Sequence, residues 1–174
     1  MTCRLYNRAA GKEMTVLEPG TMAPHFALNR LENDAPTRLA FDRLTILAFY
    51  KVTCPTCQLG VPYLDALKSY ESSEFEAIAI AEDPLEAIHD FKRTHGGSLE
   101  TLTEPPPYET SAAYGLTNVP TVFLVEPGGR IVQSIIGFNK QAYNDLANEI
   151  AQRLGVAPVI LCPADDGAPA FKPG

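Results

Sequence analysis

The chain has 174 residues, of which 45% are hydrophobic and 20% are charged, and its formal net charge is −7 at pH 7. This apolar content is enough for a packed core and excludes an intrinsically disordered chain. The excess of acidic residues, with no cluster of Lys and Arg, argues against nucleic-acid binding. No apolar run approaches the roughly 20 residues of a membrane-spanning helix, so we expect no membrane span.

Composition divides the chain into three parts: a polar N-terminal extension (residues 1–18), a region of alternating strand and helix patterns (19–155), and a C-terminal tail (156–174) rich in Pro, Ala and Gly. We expect one folded domain over 19–155 and a loosely attached tail. The extension lacks the apolar stretch of a secretory signal, and four cysteines are too few for a disulfide-stapled scaffold. We therefore predict a cytoplasmic location.

The predicted elements, in chain order, are a buried strand over 44–52, a helix from Pro55 to Tyr70, a strand over 75–81, a helix over 83–95, a short strand over 101–103, a short helix over 109–114, a hairpin of strands 119–125 and 130–136, and a closing helix over 142–154. Pro62 is expected to kink the first helix. This order predicts an α/β fold with a central mixed β-sheet flanked by helices.

Cys54 and Cys57 lie where the first buried strand passes into a helix. The N-terminus of a helix favours negative charge, so this position favours the thiolate of the first cysteine, the form that attacks a disulfide. A second thiol one turn later can attack the resulting mixed disulfide and release the reduced product. The pattern therefore predicts a redox-active Cys54–Cys57 pair.

The same spacing is also half of a zinc site, which requires four ligands. His89 and His95 are six residues apart, His25 is isolated, and the chain has no second closely spaced pair of cysteines. We therefore predict no bound metal and no cofactor. Two structural buried cysteines are equally disfavoured, because we expect the start of this helix to be exposed.

Separate segments of the chain together resemble the thioredoxin superfamily, and within it the TlpA-type thiol–disulfide oxidoreductases that share the alkyl hydroperoxide reductase/thiol-specific antioxidant (redoxin) domain. The segments that carry the resemblance are Ala23–Leu28, Leu47–Cys57 with Pro62, Tyr114–Thr121, and Gly137–Phe138. The resemblance covers residues 19–155.

The resemblance implies that Pro120 is in the cis form and packs against the cysteine pair. Cys54 is then the exposed nucleophile and Cys57 the buried resolving thiol. The residues expected to contact substrate are Val119, Pro120, Thr53, Pro55 and Thr56. The implied partners are a protein or small-molecule disulfide or thiol, and an electron donor such as a thioredoxin or glutathione system.

Several positions depart from the family pattern. Thr53 stands where a tryptophan is common, while Ala48 and Gly60 occupy the two positions at which relatives carry an acid, so the proton acceptor for Cys57 is not identified. Lys51 is expected to be a solvated side chain rather than a partner of Cys54. The roles of Cys3 and Cys162 stay open.

Two other functions remain as alternatives. A peroxiredoxin-like peroxide reductase, with antioxidant activity, requires Thr or Ser three residues before its reactive cysteine, but that position is Lys51 relative to Cys54 and Cys54 relative to Cys57. The other alternative is a redoxin-fold binding module that holds a partner with little turnover.

Overall fold

The computed structural model describes residues 15–174, which form a seven-stranded mixed sheet flanked by helices and a separate two-stranded ribbon. The strands are β1 (Phe26–Arg30), β2 (Pro36–Leu39), β3 (Leu44–Tyr50), β4 (Phe75–Ala81), β5 (Glu100–Thr103), β6 (Thr121–Val125), β7 (Ile131–Ile136), β8 (Phe138–Asn139) and β9 (Phe171–Lys172). The helices are α1 (Pro55–Gly60), a 3-10 helix (Val61–Tyr70), α2 (Leu85–His95), α3 (Glu109–Ala113) and α4 (Lys140–Leu154). The large sheet has the order β2-β1-β5-β4-β3-β6-β7, and the predicted fold class is confirmed.

The centre of the sheet determines where the site lies. Every residue of β3 is buried, as expected for a strand covered on both faces. The strand β3 is parallel to β4, with Tyr50 opposite Ala81, and antiparallel to β6, with Phe49 opposite Thr121. The segments after β3, after β4 and before β6 therefore meet at the same end of these three neighbouring strands.

The first long helix changes type where proline interrupts it. It begins as α1 at Pro55 and continues from Val61 to Tyr70 as a 3-10 helix. Pro62 has no N–H to donate and disfavours a regular α-helix at this point. The predicted disturbance at Pro62 thus takes the form of tighter winding. None of the helices in residues 15–174 has the length and apolar character required to cross a membrane.

The hairpin of β1 and β2 was not predicted. Its two strands have five and four residues, β2 begins with Pro36, and burial alternates along β1. The strand β2 forms one edge of the sheet, where a proline is tolerated because no neighbouring strand requires its N–H. Such short, half-polar strands give a weak signal in the sequence.

The prediction of a loosely attached tail is wrong. Within residues 156–174, Leu161 and Cys162 are 3% and 2% exposed. The side chain of Asn144 donates a hydrogen bond to Cys162 O and accepts one from Cys162 N, both at 2.9 Å. The chain then returns to the domain, and β9 pairs antiparallel with β8. Polar contacts and the buried Leu161 together hold the tail, and its composition, poor in large apolar residues, does not reveal them.

Candidate active site

Cys54 and Cys57 lie at the start of α1, shortly after the end of β3. Cys54 is the N-cap residue, and its carbonyl accepts a hydrogen bond from Gln58 N at 3.0 Å. Pro55 follows in the first helical turn, where its missing N–H removes no hydrogen bond from the helix. The local sequence thus places the two cysteines one helical turn apart, as predicted.

The loop before β6 lies against this helix start. The Val119–Pro120 peptide bond is cis, as the resemblance implies. The carbonyl oxygen of Val119 is 3.3 Å from the Cys54 Sγ, close enough to accept a hydrogen bond from the reduced thiol. Thr121 Oγ1 donates to Asn118 O at 2.7 Å and holds the loop to the first residue of β6. The structure therefore brings Cys54, Val119 and Pro120 together.

Both cysteines of the pair are buried, which corrects one expectation. Cys57 is 0% exposed, in keeping with a buried thiol, but Cys54 is 2% exposed and is not the exposed residue we predicted. The end of the tail lies near the same carbonyl group that contacts the Cys54 sulfur. A Cβ added to Gly174 would be 2.9 Å from the Val119 carbonyl oxygen, the same oxygen that lies 3.3 Å from Cys54 Sγ. The end of the tail and the Cys54 sulfur therefore both lie next to the Val119 carbonyl oxygen.

Cys57 carries a free thiol whose surroundings disfavour the thiolate. The pKa of Cys57 is raised to about 12, mainly by burial; a backbone hydrogen bond from Lys51 opposes the shift, and the nearby charges of Asp83 and Glu82 contribute to it. At neutral pH the thiol therefore keeps its proton and must transfer it before the sulfur can attack.

Two carboxylates stand at the end of β4, next to the segment that follows β3. Asp83 Oδ2 accepts a hydrogen bond from Val52 N at 2.9 Å, and burial raises the pKa of Asp83 even though this hydrogen bond opposes it. Glu82 forms an ion pair with Lys51 Nζ at 2.9 Å. Lys51 is therefore paired rather than simply solvated. Its ammonium also lies over the ring of Tyr108, 5.3 Å from the ring centroid.

Sequence reasoning missed Glu82 and Asp83 because Asp83-Pro84 reads as the opening of a helix. The available signal was topological: the carboxyl ends of parallel strands lie side by side, and functional groups collect there. With β3 parallel to β4, the residues after Ala81 lie next to those after Tyr50.

The other predicted contact residues lie around the pair. Thr53 and Pro55 are exposed, whereas Thr56 is buried. Thr56 Oγ1 donates a hydrogen bond to Pro173 O at 2.7 Å, so the tail engages this residue. Thr53 and Pro55 are therefore the accessible members of the predicted set on the helix side.

The remaining cysteines belong to different surroundings. Cys162 carries a free thiol, and burial raises its pKa to about 12. Cys3, whose role was left open, lies outside the described residues. Within residues 15–174, no group of three or more His, Cys, Asp or Glu side chains could hold a metal ion.

Comparison with known proteins identifies relatives by sequence and by fold. The chain is 28% identical over 141 residues to thiol-disulfide oxidoreductase ResA of Bacillus subtilis, an alignment that covers 76% of this chain and 75% of the relative. The structure is similar to the thioredoxin domain of a thiol-disulfide oxidoreductase from Bacteroides vulgatus, with a TM-score of 0.67, 17% identity, and coverage of 77% of this chain and 99% of that one. It is also similar to a thiol:disulfide interchange protein of the thioredoxin family from Chlorobium tepidum, with a TM-score of 0.61, 23% identity, and coverage of 85% and 100%.

The mixed sheet, the cysteine pair at a helix start and the cis-proline loop together define a thioredoxin-like fold. The AhpC/TSA family model matches residues 19–134, and the chain belongs to this family.

Proposed function

We propose that this protein is a thiol–disulfide oxidoreductase whose redox couple is the Cys54–Cys57 dithiol and disulfide. The observation that carries the proposal is the position of the two cysteines, one turn apart at the start of α1, with the Val119 carbonyl 3.3 Å from Cys54 Sγ. In this arrangement Cys54 can receive an incoming sulfur, and Cys57 can reach Cys54 from inside the protein.

The proposed exchange has two balanced steps. The Cys54 thiolate attacks one sulfur of a substrate disulfide, a Cys54–substrate disulfide forms, and the departing substrate sulfur takes a proton. Cys57 then loses its proton and its sulfur attacks Cys54, which closes the Cys54–Cys57 disulfide and releases the second substrate thiol. Two electrons pass from the protein to the substrate, and the same steps in reverse oxidise a dithiol.

The second step requires an acceptor for the Cys57 proton, and we assign this role to Asp83. Its charge acts on Cys57, and burial raises the pKa of Asp83, which makes its carboxylate a better base. Glu82 is less suitable because its carboxylate is engaged by Lys51. Asp83 thus supplies the acid–base group that Ala48 and Gly60 do not provide.

We propose protein or small-molecule disulfides and thiols as substrates, with a thioredoxin or glutathione system as the electron donor in the cytoplasm. The names of the relatives, which concern thiol–disulfide chemistry, support this choice of substrates. The donor is tested by following NADPH oxidation with each purified system in turn. We expect either the thioredoxin or the glutathione system to sustain turnover. If neither system does, the choice of donor is contradicted.

Titration in glutathione redox buffers tests the function itself. After alkylation of the remaining thiols, mass spectrometry should show a two-electron conversion between reduced Cys54 and Cys57 and one disulfide joining them. This couple should be absent in Cys54→Ser and unchanged in Cys162→Ser, which also loses a buried thiol. Failure to form the disulfide at every glutathione ratio would contradict the proposal.

A further inference from the structure

We propose that residues 171–174, called here the closing segment, occupy the groove in which a substrate peptide docks and compete with that peptide for it. The inference rests on the proposed function, because it assigns an occupant to the groove beside Cys54. In this groove the closing segment occupies the position that we assign to a substrate peptide.

The closing segment enters the groove as extended chain. Lys140 N donates a hydrogen bond to Ala170 O at 3.0 Å, and the next two residues form β9. In the pairing with β8, Asn139 is opposite Phe171 and Phe138 is opposite Lys172. This pairing directs the following residues toward α1 and the cis-proline loop.

Hydrogen bonds tie the segment to both sides of the groove. On the helix side, Thr56 Oγ1 donates to Pro173 O at 2.7 Å, and Lys172 Nζ donates to Pro55 O at 3.1 Å. On the loop side, Asn118 Nδ2 donates to Gly174 O at 3.0 Å. The segment therefore bridges the two elements that a substrate must contact.

Two glycines make this close approach possible. A Cβ on Gly137 would lie 2.8 Å from both Gly174 N and Lys172 O, and a Cβ on Gly174 would lie 2.9 Å from Val119 O. Backbone therefore packs directly on backbone from β8 to the cis-proline loop. The close approach at the end of the segment is therefore specific to glycine.

These contacts also define the peptide that can take the place of the segment. Thr56 donates to the carbonyl oxygen of Pro173 and Asn118 donates to the main-chain oxygen of Gly174, so they recognise the main chain rather than a particular side chain. The space beside the Val119 carbonyl admits glycine. The competing substrate is an extended peptide with a glycine next to the disulfide that it presents to Cys54.

The segment is held in a way that permits exchange. Phe171 is 57% exposed, and Pro173 is also exposed, so few apolar contacts must be lost when the segment leaves. A tethered occupant competes through its high local concentration, and the apparent affinity for substrate falls by the fraction of molecules in the open form. Substrate access then depends on displacement of the segment.

The test compares the full chain with a variant ending at Ala170 and with the full-length variant Gly174→Val. In protein kept reduced with a phosphine, we measure the rate at which iodoacetamide alkylates Cys54. Both variants should react about tenfold faster or more, because several hydrogen bonds that favour the closed form are lost. Addition of the peptide Ala-Phe-Lys-Pro-Gly to the shortened chain should restore protection in proportion to its concentration.

Ile160→Ala is the matched control, because Ile160 lies on the same tail and is 73% exposed. Its alkylation rate should equal that of the full chain. Circular dichroism of each variant, together with continued protection of buried Cys57, verifies that faster alkylation does not reflect unfolding.

Equal alkylation rates in all variants, with no effect of the added peptide, would overturn the inference. The glutathione titration separates this outcome from failure of the proposed function. If the Cys54–Cys57 couple is present but the rates are equal, the protein is an oxidoreductase without a competing segment. If the couple is absent from every variant, the proposed function itself fails.

Discussion

Cys54 and Cys57 are three residues apart but have different neighbours. The Cys54 sulfur lies at the cis-proline loop, 3.3 Å from Val119 O, whereas the charges of the carboxylates that follow β4 act on Cys57. Burial and nearby negative charge both disfavour the thiolate of Cys57. The two thiols are therefore suited to successive steps: attack by Cys54 first, and attack by Cys57 once its proton has an acceptor.

Replacement of Asp83 by Asn should lower the pKa of Cys57. The substitution removes a negative charge that raises the pKa of this thiol, and we expect a decrease of up to about one unit from the value near 12. The carbon-13 chemical shift of the Cys57 β-carbon, followed against pH in reduced protein, reports the change. An unchanged or higher pKa would contradict the electrostatic role of Asp83.

The same variant also tests Asp83 as proton acceptor. Formation of the Cys54 mixed disulfide should keep its rate, while the attack by Cys57 slows by about tenfold or more at pH 7, because its proton has lost its acceptor. Rapid-quench trapping would then show the mixed disulfide accumulating. Glu86→Gln, an exposed neutralisation in the first turn of α2, is the control and should change neither step.

At the scale of elements, the short helix α3, which precedes the cis-proline loop, begins in an unusual way. This helix starts after Tyr108 in the left-handed region, with φ at 61°, and no side chain of that residue caps it. The buried carboxylate of Glu104 caps the helix instead. It accepts hydrogen bonds from Thr110 N at 2.6 Å, Ser111 N at 3.0 Å and Ser111 Oγ at 2.6 Å. One side chain thus satisfies the free N–H groups at the start of the helix.

Glu104→Ala should lower the free energy of unfolding by about 1–3 kcal/mol, because it leaves several buried donors without an acceptor. Urea denaturation at pH 7 measures the change. The control is Glu109→Ala, which removes an exposed carboxylate from the first turn of the same helix and should change the stability by less than about 0.5 kcal/mol. Equal effects of the two substitutions would show that Glu104 does not cap α3.

The tail depends on Asn144 in α4, whose side chain pairs with both backbone groups of Cys162. Asn144→Ala should lower the free energy of unfolding by about 1–3 kcal/mol and increase the reactivity of Cys162 toward thiol reagents in the folded protein. Denaturation and native-state alkylation measure the two effects. The control is Asn148→Ala, an exposed position one turn further along the helix. Continued protection of Cys162 in Asn144→Ala would contradict this anchoring role.

At the scale of the whole molecule, the functional groups lie together at one end of the central strands of the sheet. The end of β3 leads to the cysteines, the end of β4 leads to the carboxylates, and the start of β6 follows the cis-proline. The sequence was sufficient to predict these central strands, since β3 and β4 are runs of apolar and β-branched residues buried on both faces. The cysteine pair was likewise identified by its local spacing, and Pro120 was identified through the resemblance to the thioredoxin superfamily.

The features that the sequence did not reveal depend on contacts distant along the chain. Asp83 gains its place beside Val52 only when β3 and β4 pair in parallel. Thr56 and Pro173 are 117 residues apart, and polar atoms alone join them, so no hydrophobic pattern indicates their contact. The strands β1 and β2 are too short and too polar for the two-residue alternation of a half-buried strand to be recognised in the sequence.

Trapping of the mixed disulfide tests the central claim most directly. In Cys57→Ser the resolving thiol is absent, so reaction of the reduced full chain with a glycine-containing peptide disulfide should stop at one stable adduct on Cys54, identified by mass spectrometry. The double variant Cys54→Ser, Cys57→Ser should form no such adduct. An adduct on Cys162, or none on Cys54 under conditions in which the unmodified chain reduces the same peptide, would contradict the account.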